Sequence, residues 1–138
     1  MTVFTFKKRS HDLKALFISI IMFISILSVA VAYQFHLISL ADKLNNFTET
    51  ATSQIASKDF ENAKATIDDL KKLWNKNSSF LMMFHDHSLI NNSSVNISLA
   101  SSAVEKCHYD DAVSHLIYFI AVIDELVAEN RPTFENIL

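Results

Sequence analysis

Residues Ala15 to Ala32 read ALFISIIMFISILSVAVA, eighteen positions without a charge, and Tyr33-Gln34-Phe35-His36-Leu37-Ile38 prolongs the run with only two strongly polar side chains. At 1.5 Å per helical residue, about twenty apolar residues cross a hydrocarbon core of about 30 Å. The stretch 15–38 therefore predicts one transmembrane anchor. Its lipid-facing positions would include Leu16, Phe17, Ile20, Ile21, Phe23, Ile24, Leu27 and Val29, and its interior serines can bond back to their own helix. Lys7, Lys8, Arg9 and Lys14 precede it against a single Asp12, whereas Asp42 and Lys43 just beyond it cancel. Residues 1–32 carry net +3, and residues 33–138 carry net −6, from 8 Lys/Arg against 14 Asp/Glu. Positive flanks stay on the cytoplasmic side, so residues 1–14 are expected to form a basic cytoplasmic tail and residues 39–138 an extracytoplasmic body. The alternative is a signal peptide cut after Ala30-Val31-Ala32, which would release a secreted helical protein. Against cleavage, the apolar stretch exceeds the usual signal core of about 7–15 residues and runs on into a heptad pattern.

The 138 residues include no Gly and one Pro, where average usage would give roughly ten and seven. Without glycine, a P-loop, a dinucleotide fingerprint or a nucleophile elbow cannot be built, and tight β-hairpins lose their usual turn residue. Half of the residues are apolar and a fifth are charged, a composition that points to long helices in a single domain.

Beyond the anchor, Leu37, Leu40, Leu44, Phe47, Ala51 and Ile55 recur at intervals of three and four, one stripe of an amphipathic helix. Lys58-Asp59 ends it, and Asp59 can cap a second helix with Phe60, Ala63, Ile67, Leu70, Leu73 and Trp74 inward and an Asp68–Lys72 pair outward. Asn75 to Ser79 reads as a turn cluster. A third pattern places Phe80, Met83, His87, Ile90, Ser94, Ile97, Ser101 and Val104 at heptad intervals. Thirteen of the twenty-eight residues from Asn75 to Ser102 are Ser or Asn; such side chains compete with helix hydrogen bonds, so a break is expected near Asn91–Ser94. The last helix follows Tyr109, Ala112, Leu116, Phe119, Ile123 and Leu126. Its longest apolar run is eight residues, a core helix and not a second span. Pro132 should stop it, leaving Phe134, Ile137 and Leu138 as an apolar tail able to fold back.

Ile55, Phe60, Ala63, Ile67, Leu70 and Trp74 return forty-nine residues later as Val104, Tyr109, Ala112, Leu116, Phe119 and Ile123. Each copy has an aromatic at the helix start and a small Ala one turn later, the pattern of a helical hairpin. Two such hairpins predict an all-α fold, an antiparallel four-helix bundle behind the N-terminal anchor.

The anchor, the hairpin ending in Leu73-Trp74, Asp86-His87, the second hairpin around Tyr109-Asp110-Asp111-Ala112, and the closing Asn136-Ile137-Leu138 together resemble a bacterial family of short, single-pass membrane proteins of unknown function. The resemblance implies a helical outer body in a cell envelope and carries no activity or catalytic residue. The chain departs from the family pattern in its Ser/Asn-rich middle.

His85-Asp86-His87 is the one local cluster of ligand-type atoms, and His108 and His115 are the distant residues that could join it. Metal sites on helices use i,i+3 or i,i+4 spacing, whereas an H-x-H pair diverges by about 200°. The heptad register points His87 to the core and His85 and Asp86 to solvent, so the expectation is no metal site and a hydrogen-bonded core histidine. Cys107, the only cysteine, is expected to be buried and inert. Asp110-Asp111 reads as helix-start chemistry, and Trp74 as a core anchor. The acidic body excludes nucleic acid as a partner. The sequence thus predicts a membrane-anchored, non-enzymatic interaction or scaffold module without a cofactor. Its partners would be the lipid bilayer and either another membrane protein or a second copy of itself. The alternative is a small ligand or metal sensor, with Ser94, Ser101 and Ser102 lining a core cavity near His87.

Overall fold

The structure, a computed structural model, describes residues 3–129, with side chains from Leu13 onward. Four helices account for them: α1 (Val3–Ala56), α2 (Phe60–Leu81), α3 (His87–Glu105) and α4 (Tyr109–Glu129). The chain divides into two compact units between Leu37 and Ile38. Pro132 and the apolar tail Phe134, Ile137 and Leu138, together with the Asn136-Ile137-Leu138 end, lie outside the described residues.

In the first unit the backbone is helical through the apolar run, and Leu13–Ala56 is long and apolar enough to cross a membrane. Leu16, Phe17, Ile20, Ile21, Phe23, Ile24, Leu27 and Val29 are all exposed, from 45 % at Ile20 to 68 % at Val29. The three serines of the run donate to carbonyls one turn back: Ser19 to Ala15, Ser25 to Ile21 and Ser28 to Ile24, at 2.8–3.0 Å. Each hydroxyl proton is thereby satisfied within the helix itself, the condition an apolar medium imposes.

The second unit is an antiparallel arrangement of the later part of α1 with α2, α3 and α4. Gln54 on α1 accepts from Thr66 on α2 at 2.8 Å. Trp74 on α2 donates to Ser94 on α3 at 2.7 Å, Asn96 on α3 meets His115 on α4 at 3.1 Å, and Asn45 on α1 donates to Asp124 on α4 at 3.5 Å. Each helix thus contacts the next, and the fourth returns to the first. The core face of α1 is Leu40, Ala41, Leu44, Thr48, Ala51 and Ile55, all buried. Phe47 is only half-buried; Thr48 takes its place, its hydroxyl satisfied by the Leu44 carbonyl at 2.8 Å.

The stretch Asn75–Ser79 is not a turn, for α2 runs through it to Leu81. Its polar side chains bond to their own helix, Asn77 to the Leu73 carbonyl and Ser78 to that of Asn75, and burial of Ser78 and Leu81 holds the last turn in place. The expected break at Asn91–Ser94 is absent for the same reason. Ser93, Ser94, Asn96 and Ser98 each donate to the carbonyl four residues back, so they satisfy themselves without unwinding α3. The chain turns instead at Met82–Asp86, which moves Phe80 and Met83 out of the third helix. The buried face of α3 is accordingly Ile90, Ser93, Ile97, Ala100, Ala103 and Val104. Ser94 and Ser101 are half-buried at its margin.

The forty-nine-residue echo extends to the backbone. After α1, Lys58 N–H donates to Ile55 O and Asp59 N–H to Gln54 O; after α3, Cys107 N–H donates to Val104 O and His108 N–H to Ala103 O. Both are Schellman closures, and both put a non-glycine residue at positive φ, 62° at Lys58 and 61° at Cys107. The next helices then start identically, Ala63 N–H on Asp59 O and Ala112 N–H on His108 O. The two starting aromatics, Phe60 and Tyr109, stack on each other with centroids 3.6 Å apart and planes within 3°, tying the two hairpins at one end of the unit. A Cβ in the left-handed region is a local cost that glycine avoids, partly offset by the larger unfolded entropy of glycine. Lys58→Gly and Cys107→Gly are each expected to stabilise the protein by about 0.5–1 kcal/mol. Denaturant titration of the full chain in mild detergent would read the gain; a loss at both positions would contradict the cap geometry.

Candidate functional site

The ionisable and polar side chains fall at the two ends and along the middle of the second unit, most of them tied into the helical frame. At the end that carries the Phe60–Tyr109 stack, Lys64 pairs with Glu105 at 2.9 Å. That contact raises the pKa of the lysine and lowers that of the glutamate, in both cases chiefly through the hydrogen bond between them. The expected Asp68–Lys72 pair is replaced by Asp69–Lys72 at 2.8 Å, one residue closer along α2. Asp110 and Asp111 occupy the first turn of α4, as helix-start chemistry requires, and Asp111 lies 3.7 Å from His108. Cys107 is exposed, contrary to the expectation of a buried thiol. The left-handed turn places it outside the last turn of α3, beyond the reach of the core.

Midway along the unit, Trp74 is fully buried and edge-on to Phe119, with centroids 5.3 Å apart. Its indole N–H donates to the Ser94 hydroxyl, which in turn donates to the Ile90 carbonyl at 3.1 Å. The Ser94 hydroxyl therefore serves the tryptophan. His115 is engaged with the Asn96 side-chain oxygen.

At the other end the expected orientation of the His-Asp-His cluster is reversed. Asp86 is the N-cap of α3 and accepts from Ser88 N–H at 2.6 Å. His87, the first residue of that helix, is exposed, since the core begins one turn further on at Ile90. His85 is the inward one: its side chain is only 3 % exposed and its Nδ1 lies 3.9 Å from a carboxylate oxygen of Glu129 at the end of α4. The registers differ because the heptad counted from Phe80 crosses the Met82–Asp86 turn, where helical periodicity is lost. His85, Asp86, His87 and His115 thus take up four separate roles. Among the described residues, no group of three His, Cys, Asp or Glu side chains is placed to hold a metal ion.

Burial pushes the His85 imidazole below its ordinary value, against the pull of the Glu129 carboxylate. A histidine kept neutral in the folded state binds its proton more readily when unfolded, so its contribution to stability is complete above the unfolded pKa of about 6.5. That contribution is lost as the pH falls through this value towards the lower folded one. The urea midpoint of the full chain should therefore drop between pH 7.5 and pH 5 by more in the wild type than in His85→Asn, which has no imidazole to titrate. Equal slopes would place the side chain in water.

None of the long-range pairs, Lys64–Glu105, Asn45–Asp124, His85–Glu129 and Gln54–Thr66, was evident in the sequence. Each joins residues with no shared local motif; only the half-buried setting of Gln54 and Thr66, opposite each other across the first hairpin, could have been reached by counting back from the turn.

These features define an all-α protein with a long apolar N-terminal helix and a four-helix unit built from two equivalent hairpins. The chain belongs to the DUF4363 family, a domain of unknown function, whose model matches residues 31–137. No curated protein and no solved structure matches the chain. The matched region takes in both hairpins and Asp86-His87, while most of the Ala15–Ala32 run lies ahead of it.

Proposed function

We propose that this protein is a membrane-anchored, non-enzymatic interaction module. Residues 15–38 cross the bilayer once, residues 1–14 lie in the cytoplasm, and the four-helix unit stands on the outer face of a bacterial cell membrane. The observation that carries the reading is the apolar helix. Its twenty-four residues from 15 to 38 rise about 36 Å, enough to cross the hydrocarbon core; its large apolar side chains from Leu16 to Val31 are exposed and its serines are satisfied internally. Orientation follows from the charges, +3 before Tyr33 and −6 after it. An interaction role is supported by the employment of the polar residues: Asp86 caps a helix, Trp74 and Ser94 bond each other, and Lys64 and Glu105 join two helices. The partners are the bilayer and either a second membrane protein or another copy of the chain, and no cofactor is required.

Two fusions after Leu138 test the topology in a bacterial host. Alkaline phosphatase is expected to be active there, and a reporter that fluoresces only in the cytoplasm is expected to be dark. The opposite pair of results would invert the orientation. Mass spectrometry of the membrane fraction should find a chain beginning at or near Met1. A chain beginning at Tyr33 and released to the medium would establish cleavage after Ala32 and overturn the anchor.

A further inference from the structure

We propose that the α2–α3 turn is a second membrane contact, dipping into the headgroup and upper acyl region of the bilayer beside the point where the chain leaves it. This inference rests on the anchor reading above. Three observations within the four-helix unit lead to it.

The first is chemical. Phe80-Leu81-Met82-Met83-Phe84-His85 is six residues without an acid, lysine or arginine at the tip of a hairpin. Leu81 is buried, but Met83 is 74 % exposed, Phe84 54 % and Phe80 41 %. Phe80 and Phe84 meet edge-on at 5.3 Å and still present apolar surface. Hairpin tips in water favour Asn, Asp, Ser and Gly; here the chain places methionine and aromatic side chains, which settle at a bilayer interface.

The second is positional. Gln54 and Thr66 are level across the first hairpin, as their hydrogen bond shows. Sixteen residues back along α1 lies Ile38, and sixteen forward along α2 lies Met82. With equal rise per residue, the Met82–Asp86 turn stands at the same end of the unit as Ile38. The chain enters the unit at Ile38, immediately after the apolar segment. The turn and the point of entry thus share one end of the unit.

The third is the contrast between ends. The other end carries Lys58, Asp59, Lys64, Glu105, Lys106, Asp110 and Asp111, side chains that need water. The apolar tip from Phe80 to Phe84 carries no ion to desolvate, with Asp86 closing its turn as the cap of α3 and Glu129 near His85 at the same end; the turns at the opposite end carry Lys58, Asp59 and Lys106 at the tip itself.

The test uses the full chain in vesicles of phosphatidylcholine and phosphatidylglycerol that contain lipids carrying a nitroxide quencher either high or deep on the acyl chain. An environment-sensitive fluorophore is attached at three positions in turn: native Cys107, and Met83→Cys or Ile24→Cys, each in a Cys107→Ser background. The label at 83 should lose most of its emission to the shallow quencher, the label at 24 to the deep one, and the label at 107 should be unaffected by either. A label at 83 that behaves like the one at 107, with the label at 24 quenched, overturns the second contact and leaves the anchor standing. A label at 24 that escapes the deep quencher overturns the anchor and this inference together. A label at 83 shielded from aqueous iodide yet unquenched by lipid would place another protein on the turn, and the lipid contact would be wrong.

Discussion

If the apolar helix is the proposed anchor, replacing Phe23 and Ile24 by aspartate together is expected to move this protein from the carbonate-resistant membrane fraction to the soluble or aggregated fraction. Both side chains are exposed on α1, at 67 % and 55 %, and they lie at the centre of the eighteen-residue uncharged run. An aspartate at the middle of a membrane helix costs about 2.5–3.5 kcal/mol on the insertion scale, and the apolar residue it replaces forfeits roughly 0.3–0.6 kcal/mol. Two substitutions therefore remove on the order of 6–8 kcal/mol, about as much as the favourable sum of the remaining apolar residues. A single aspartate costs only half as much and leaves the favourable sum larger than the penalty, although sliding the helix relieves neither variant, since residues 25–38 offer only fourteen positions. Two adjacent charges leave no register that keeps both at an interface with about twenty apolar residues still in the core. Retention of the double variant in carbonate-washed membranes would show that something other than this helix holds the protein there.

Trp74→Ala should be the most destabilising single change in the second unit, by about 3–5 kcal/mol, a large part of the 5–15 kcal/mol a domain usually has. The side chain is fully buried, is edge-on to Phe119, and joins α2 to α3 through its bond to Ser94. Truncation leaves a cavity that the short, rigid helices around it cannot collapse to fill, and it deprives the Ser94 hydroxyl of its donor. Trp74→Phe separates the two contributions. It retains most of the apolar volume and loses the hydrogen bond, worth about 1 kcal/mol, so adding Ser94→Ala should cost little more in that background than it does alone. The measurement is guanidinium unfolding of the full chain in mild detergent, followed by helical circular dichroism. The apolar part of α1 will remain helical in the micelle, and the transition will report the rest. A shift of the midpoint corresponding to less than about 1 kcal/mol in Trp74→Ala would mean that the indole is not a core group.

The stability of the second unit owes much to how serine and asparagine are used. In a chain without glycine, the turns at Lys58 and Cys107 are closed by residues that tolerate the left-handed region only at some expense. In the middle of α3, hydroxyls and amides fold back onto carbonyls one turn earlier. Ser94 shows both sides of this arrangement, since the same hydroxyl that satisfies itself on Ile90 also receives the indole proton of Trp74. A helix rich in such residues has low intrinsic propensity and depends on its neighbours, here through Ile90, Ile97 and Ala100, all fully buried.

Periodicity alone determined the helical class, the long apolar segment, the amphipathic face of α1 apart from Ala41 and Thr48, and the hairpin repeat, because 3.6-residue spacing and a forty-nine-residue echo are properties of the string itself. Composition, through the absence of glycine, was equally direct. The tertiary structure decided where α2 ends, that α3 is unbroken, and which histidine turns inward. Local signals at Asn75–Ser79 and Asn91–Ser94 favour turns, and burial of Leu81, Ser78 and Ser93 against other helices outweighs them. His85 and His87 exchanged roles because a heptad count carried across the Met82–Asp86 turn no longer measures a helix. Cys107 is exposed for a similar reason: its left-handed φ directs it away from the face that its neighbours Ala103 and Val104 bury, and backbone handedness at a single residue leaves no trace in hydrophobic spacing.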